Sequence, residues 1–189
     1  MVSIPTPPRI IQPTRDDRLV AAFAALAITV HIAESALPSP FPGVKPGLAN
    51  VVTLLVMCRF GWRMAAWVSL LRVLLGSVLI GTFLSPAFFL SAAGALASIG
   101  VLGGIHWANR HLGGWAVGPL GLGIAAALAH MSGQFWVAFA LFVPHAGLLP
   151  VYPLLMTLAA GLGVVSGLLT RGVLARLNSV STATRPADG

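Results

Sequence analysis

Residues 64–84 read MAAWVSLLRVLLGSVLIGTFL, a stretch of 21 positions in which Arg72 is the single charge. As a helix it is long enough to cross a hydrocarbon layer about 30 Å thick. A guanidinium near the middle of such a helix costs about 2.5–3.5 kcal/mol if it faces lipid, so Arg72 should not face lipid. One segment thus predicts both an integral membrane protein and a polar interior within it. Apolar stretches of similar character recur at 19–36, 47–60, 86–108, 116–143 and 150–172. With 64–84 they predict an all-α membrane bundle of about six transmembrane helices.

The chain has 189 residues, of which 57% are hydrophobic and 8% charged, a composition foreign to soluble globular domains. At about 20 residues per crossing there is room for one bundle and little else. The expected organisation is a cytoplasmic tail over 1–18, a transmembrane domain over 19–174 and a second cytoplasmic tail over 175–189. Prolines in 1–14 and the Ser, Thr and Ala of 178–189 mark the chain ends as mobile.

Lysine and arginine number 11 against 4 acids. The basic residues stand singly between apolar spans instead of sharing a hydrophilic face, so membrane lipid is the expected partner and nucleic acid is not. Arg9, Arg15, Arg18, Arg59, Arg63, Arg110, Arg171, Arg176 and Arg185 all fall on one side of a six-span topology. Only Lys45 falls in a connection on the other side, which places both termini in the cytoplasm by the positive-inside rule. A signal peptide using 19–30 is the competing reading of the first span. It is disfavoured because the apolar segment starts late, after Asp16 and Asp17. A break in the fifth span near Ser132-Gly133 is a second alternative. The lone Cys58 excludes a disulfide framework and reads as a small packing residue. Gly94, Gly100, Gly103, Gly104, Gly161, Gly163 and Gly167 read as positions of close helix contact.

The polar residues inside the spans gather towards the outer end. His31 and Glu34, three apart at the end of the first span, share a helix face. The proline-rich connection 38–46 that follows, which contains Lys45, is too stiff for a floppy linker and reads as a shaped loop or lid. Asn50 opens the second span at the same depth. His130 and Gln134, four apart on one face of the fifth span at mid-membrane depth, need partners there. Arg72 can meet Glu34, the carbonyls of a broken helix or an anionic group on a ligand. His106, Asn109, Arg110 and His111 crowd an inner end and read as interfacial, and His145 lies in an outer loop. On the inner half of the first span, Ala21 and Ala25 belong to a small-residue stripe that permits close docking of a helix, from this bundle or from a partner.

Catalysis finds little support. Diphosphate chemistry needs clustered aspartates to hold magnesium, and the only acidic pair is Asp16-Asp17 in the tail. His31 and Glu34 alone do not complete a metal site. No phosphate-binding loop or dinucleotide fingerprint is present, so no cofactor, no catalytic residue and no metal ligand is expected.

Three elements carry a resemblance. They are Glu34-x-x-Leu37-Pro38 running into Pro42-Gly43-Val44-Lys45-x-Gly47-Leu48-Ala49-Asn50; Arg72-Val73-Leu74 with Gly76 and Gly81; and His130-x-x-Gly133-Gln134. Over about residues 19–172 the chain resembles the Gx transporter family, also filed as heptaprenyl diphosphate synthase component I. It departs from that pattern at Pro46 and at Met131-Ser132. The resemblance implies kinship with the substrate-binding S components of energy-coupling factor transporters. These are six-helix proteins of the bacterial inner membrane that take up vitamins or related micronutrients through an outward pocket capped by the first loop. They dock on a transmembrane coupling subunit, itself driven by ATPases, through an alanine-rich first helix. The function expected is therefore a solute-binding membrane subunit for a small anionic micronutrient. Arg72 and Lys45 supply positive charge, Asn50, His130, Gln134 and His31 orient polar groups, Glu34 bonds ligand or Arg72, and Ala21 and Ala25 dock the partner. The competing readings are an enzyme subunit of prenyl-diphosphate or quinone metabolism and an assembly factor for other membrane proteins.

Overall fold

A computed structural model describes residues 14–36, 48–112 and 117–183. Those residues form six α-helices and no strand: α1 (Arg15–Ala36), α2 (Leu48–Phe60), α3 (Trp62–Ile80), α4 (Pro86–His111), α5 (Pro119–Val137) and α6 (Tyr152–Ala183). A π-helical turn (Ala138–Phe142) prolongs α5, and a 3₁₀ turn (Ala146–Val151) leads into α6.

Local chemistry sets most of the ends. Ahead of α1, the Thr14 hydroxyl accepts the Asp17 N–H at 3.2 Å, while the Asp17 carboxylate accepts the Thr14 N–H at 2.9 Å and its hydroxyl at 2.7 Å. This reciprocal cap starts the helix four residues ahead of the apolar segment. The two Thr14 donors hold the Asp17 carboxyl below its ordinary range. Gly61, with φ +94°, is the single residue between α2 and α3, and Gly81, with φ +76°, caps α3 by giving its N–H to the carbonyls of Ser77 and Val78. Both need the left-handed backbone that glycine adopts without strain. Pro86 and Pro119 sit in the first turns of α4 and α5, where no intrahelical N–H is lost. Residues 178–183, expected in a mobile tail, continue α6. Polar residues extend a helix readily once the preceding turns are in place.

The helices pack in a ring in which α1 touches α3, α3 touches α4, α4 touches α5, α5 touches α6 and α6 touches α2. The short α2 closes the ring against α1 and also meets α3 and α5. It is accordingly buried on nearly every side, with Val51, Val52, Leu54, Val56 and Met57 all in the interior. Its 13 residues rise only about 20 Å, short of a hydrocarbon core. Among the described residues, four helical segments are long and apolar enough to cross a membrane: Trp62–Ile80, Pro86–His111, Pro119–Phe142 and Ala146–Leu177. Apolar side chains cover the outside, Leu79 being 67% exposed and Trp67 and Leu154 each 59%. A surface so apolar suits lipid and not water.

Ala27, Val52, Leu54, Val56, Met57, Ala65, Val68, Leu102, Leu122 and Ala126 form one dry core. It lies towards the α2–α3 junction, the end of α4 and the start of α5. Close contacts there and along α5–α6 depend on missing side chains. A Cβ on Gly123 would stand 2.5 Å from the Gly163 carbonyl, and one on Gly167 would stand 2.7 Å from the Leu120 Cα. At Gly103 a Cβ would fall 2.6 Å from the Trp62 indole nitrogen, which instead donates to the Ile99 carbonyl at 2.9 Å. Gly100, Gly104 and Gly161, also expected in contacts, face open space. Helix periodicity turns them outward. Cys58 is exposed, because α2 leaves the bundle at its last turn, where Arg59 and Phe60 are exposed as well.

Candidate functional site

At the opposite end from the dry core, α1, α3 and α5 finish and α2 and α4 begin. Their ends enclose a cavity of about 480 Å³ lined by His31 and Glu34 of α1, Asn50 of α2, Arg72, Val73, Ser77 and Ile80 of α3, Thr82 of the α3–α4 connection, Ala87, Phe88, Leu90 and Ser91 of α4, and His130, Met131 and Gln134 of α5. The volume falls in the range of pockets for small molecules, as does the mixture of apolar wall and a few converging polar groups.

Arg72 forms the floor. It is 7% exposed, and its Nη1 donates to Asn50 Oδ1 at 3.0 Å. The Glu34 carboxylate, 4% exposed, attracts the same guanidinium electrostatically. A buried charge so surrounded is satisfied by protein instead of lipid. Of the partners open to Arg72 on sequence, Glu34 is thus supported. The carbonyls of a broken helix are not, since α5 runs unbroken through Ser132-Gly133. Gly133 serves a different purpose, since a Cβ there would lie 2.6 Å from the Ala93 carbonyl. The irregular turn comes later, at Ala138–Phe142.

His130 and Gln134 share a face one turn apart, with His130 Nε2 and Gln134 Nε2 3.1 Å from each other. Gly94 makes room for both: its Cβ would stand 2.8 Å from the imidazole and 2.9 Å from Gln134 Cγ. His31 lies against Gly76 at 3.4 Å from where a Cβ would be. Among the described residues no group of three or more His, Cys, Asp or Glu could hold a metal ion.

His31, Glu34, Asn50, Arg72, His130 and Gln134, all singled out from the sequence, therefore face one cavity. Lys45 and the 38–46 connection lie outside the described residues. Ala21 and Ala25 are exposed on the outer face of α1, whereas Ala24 and Ala27 turn inward and pack. Asn109, Arg110 and His111 are exposed at the far end of α4, where His111 stacks on Trp107 at 4.9 Å. His145 caps the 3₁₀ turn, its Nδ1 accepting the Gly147 N–H at 3.0 Å.

The family model for heptaprenyl diphosphate synthase component I matches residues 23–173. The chain belongs to that family. The match takes in the described part of α1 from Phe23, every lining residue of the cavity and most of α6. No curated protein and no solved structure matches the chain.

Sequence reasoning missed Ser77, Thr82, Phe88 and Ser91 in the cavity wall. Single hydroxyls in apolar helices are common and bond their own backbone, as Ser77 does to the Leu74 carbonyl at 2.8 Å, so no pattern separated them from packing residues. It also left Asn50, the bonded neighbour of Arg72, out of the partners open to that arginine. The signal available was that Asn50, like Glu34, lies within a turn of a span end on the side away from the arginine-bearing connections.

Proposed function

We propose that this member of the heptaprenyl diphosphate synthase component I family is a membrane-embedded solute-binding subunit. It would take up a small micronutrient that carries a single negative charge, and would depend on a partner module for energy. One observation carries this reading: four helices bring His31, Glu34, Asn50, Arg72, His130 and Gln134 to one cavity of about 480 Å³ at one end, and a fifth, α4, completes its wall. Buried ionisable residues in a membrane bundle are expensive and mark solute pathways. The charge balance suits a modest anion. Arg72 stands against Glu34 with imidazoles and amides around them, so a carboxylate could displace part of the Arg72–Asn50–Glu34 network while His130, Gln134 and His31 bond its neutral groups. Phe88, Ile80 and Leu90 offer an apolar wall for the rest of the solute.

Orientation follows from charge. With both termini cytoplasmic, the cavity would open to the outside of a bacterial inner membrane, and Lys45, in the sequence between α1 and α2, would supply a second positive charge. The exposed Ala21 and Ala25 would meet a transmembrane coupling subunit, since the bundle leaves that face uncovered. The kinship with S components of energy-coupling factor transporters that the sequence resemblance implies would fit the same assembly.

The family description favours a second reading, a membrane component of a prenyl-diphosphate synthase. A diphosphate carries more negative charge than one arginine opposite one carboxylate balances, which argues for the solute reading.

Native mass spectrometry of the protein in mild detergent tests the proposal. A small molecule retained by the wild type and lost from a folded Arg72→Gln variant is the expected result. An empty cavity together with magnesium-dependent turnover of prenyl diphosphates would transfer the case to the synthase reading. An empty protein locked to other membrane proteins would favour an assembly factor.

A further inference from the structure

Between the dry core and the cavity lies a second, much smaller void of about 10 Å³, the room of one water-sized sphere. Leu54, Leu102 and Ala126 of the core close one side, and Asn50, Arg72 and His130, shared with the cavity, close the other. Thr53, Ser69 and Ser98 complete the wall. Two of these residues have buried polar atoms that form no hydrogen bond among the described residues: Thr53 Oγ1 and His130 Nδ1. The Gly94 carbonyl acts on the His130 ring without making a well-formed bond to Nδ1. Thr53 is itself only 6% exposed. Orphaned buried polar atoms are rare in folded proteins and destabilising, and here the two residues that carry them line the same water-sized space.

We infer that this void is a binding site for one buried water molecule that joins Thr53 of α2 to His130 of α5 behind Arg72. When the Gln134 amide nitrogen donates to His130 Nε2, the proton of that tautomer is on Nδ1, and the water accepts it. The Thr53 hydroxyl then bonds the water, with Ser69 and Ser98 within the same wall to complete the two to four bonds a buried water makes. A cation is the wrong occupant. The void has the Arg72 guanidinium in its wall and no carboxylate, so a positive ion would be repelled at short range. The site does not depend on which solute the larger cavity takes. It makes Thr53 a positioning residue, fixing the ring that faces that cavity.

The test uses full-length protein in detergent, Thr53→Val and Thr53→Ser variants, and two readouts. With water bound, valine strands the water and His130 Nδ1, and the melting temperature falls by about 2–6 °C; serine, which keeps the hydroxyl, loses less. If the void is dry, valine removes an unpaired buried hydroxyl and the melting temperature rises, which overturns the inference. The second readout is the ¹⁵N resonance of His130 Nδ1 in protein labelled at histidine. It should move in the valine variant and return towards the wild-type position with serine. An unmoved resonance in valine, or a melting temperature that depends on sodium against an inert organic cation, would equally overturn the water site.

Discussion

The two ends of this bundle are built on opposite rules. At the end where α2 meets α3, the interior is closed by Leu54, Val56, Met57, Ala65, Val68, Leu102 and Leu122, all apolar. At the other end the same helices enclose Arg72, Glu34, Asn50, His130 and Gln134 around open space. Lipid gives helices no hydrophobic reason to associate, so close packing must hold the bundle, and the dry end supplies it. The polar end then has freedom to keep a cavity. The crossover is sharp: along α2, Asn50 faces the cavity, Thr53 borders the water-sized void and Leu54 belongs to the core, within two helical turns.

The strongest challenge to this division is Leu54→Ala. Leu54 is 1% exposed, and truncating it should cost about 2–5 kcal/mol in thermal or denaturant unfolding, while the molecules that remain folded keep their solute. Gly123→Val should come next. Its side chain must displace the Gly163 carbonyl, and overpacking of this kind costs about 1–3 kcal/mol, measured the same way, again with the cavity intact. Gly94→Ala sharpens the contrast from the other side. A methyl 2.8 Å from the His130 ring should turn that ring and reduce solute retention in native mass spectrometry by more than it lowers the melting temperature. The smallest effects belong to the periphery. Ala21→Leu on the exposed face of α1 should change stability by less than about 0.5 kcal/mol yet remove any coupling subunit that co-purifies. Asp17, whose carboxyl is held below its ordinary value of 3.8 by Thr14, stabilises the start of α1 above that pH. The contribution is lost as pH falls through the lowered value, so α1 amide exchange should rise in acid, and Asp17→Asn should remove the dependence.

The six helices and the polar constellation were legible in the sequence for one physical reason. In a membrane chain polar residues are costly, so each one left in an apolar span carries information. That is why Arg72 of α3 and His130 and Gln134 of α5 could be assigned to one interior before any fold was known. Hydropathy is ambiguous at α2, whose apolar residues were read as a crossing and form a helix of 13 residues. They are apolar because the helix is buried among its neighbours, and burial in protein and burial in lipid look alike in hydropathy. The supposed break at Ser132-Gly133 failed similarly, since a glycine that admits another helix and a glycine that ends one are the same letter. The Asn50–Arg72 bond and the hydroxyls of Ser77, Thr82 and Ser91 depend on helix rotation, which spacing within one helix does not fix.

Thiol accessibility tests the contrast between the ends most directly. In a Cys58→Ser background, Ser91→Cys places a thiol in the cavity wall and Ala126→Cys places one in the dry core. With intact cells and a membrane-impermeant maleimide, the cysteine at position 91 should label rapidly, and more slowly when solute is retained, while the one at 126 should stay unlabelled until the protein is denatured. Equal labelling at both positions, or labelling at 91 only after the cells are opened, would contradict an outward cavity set above a closed core.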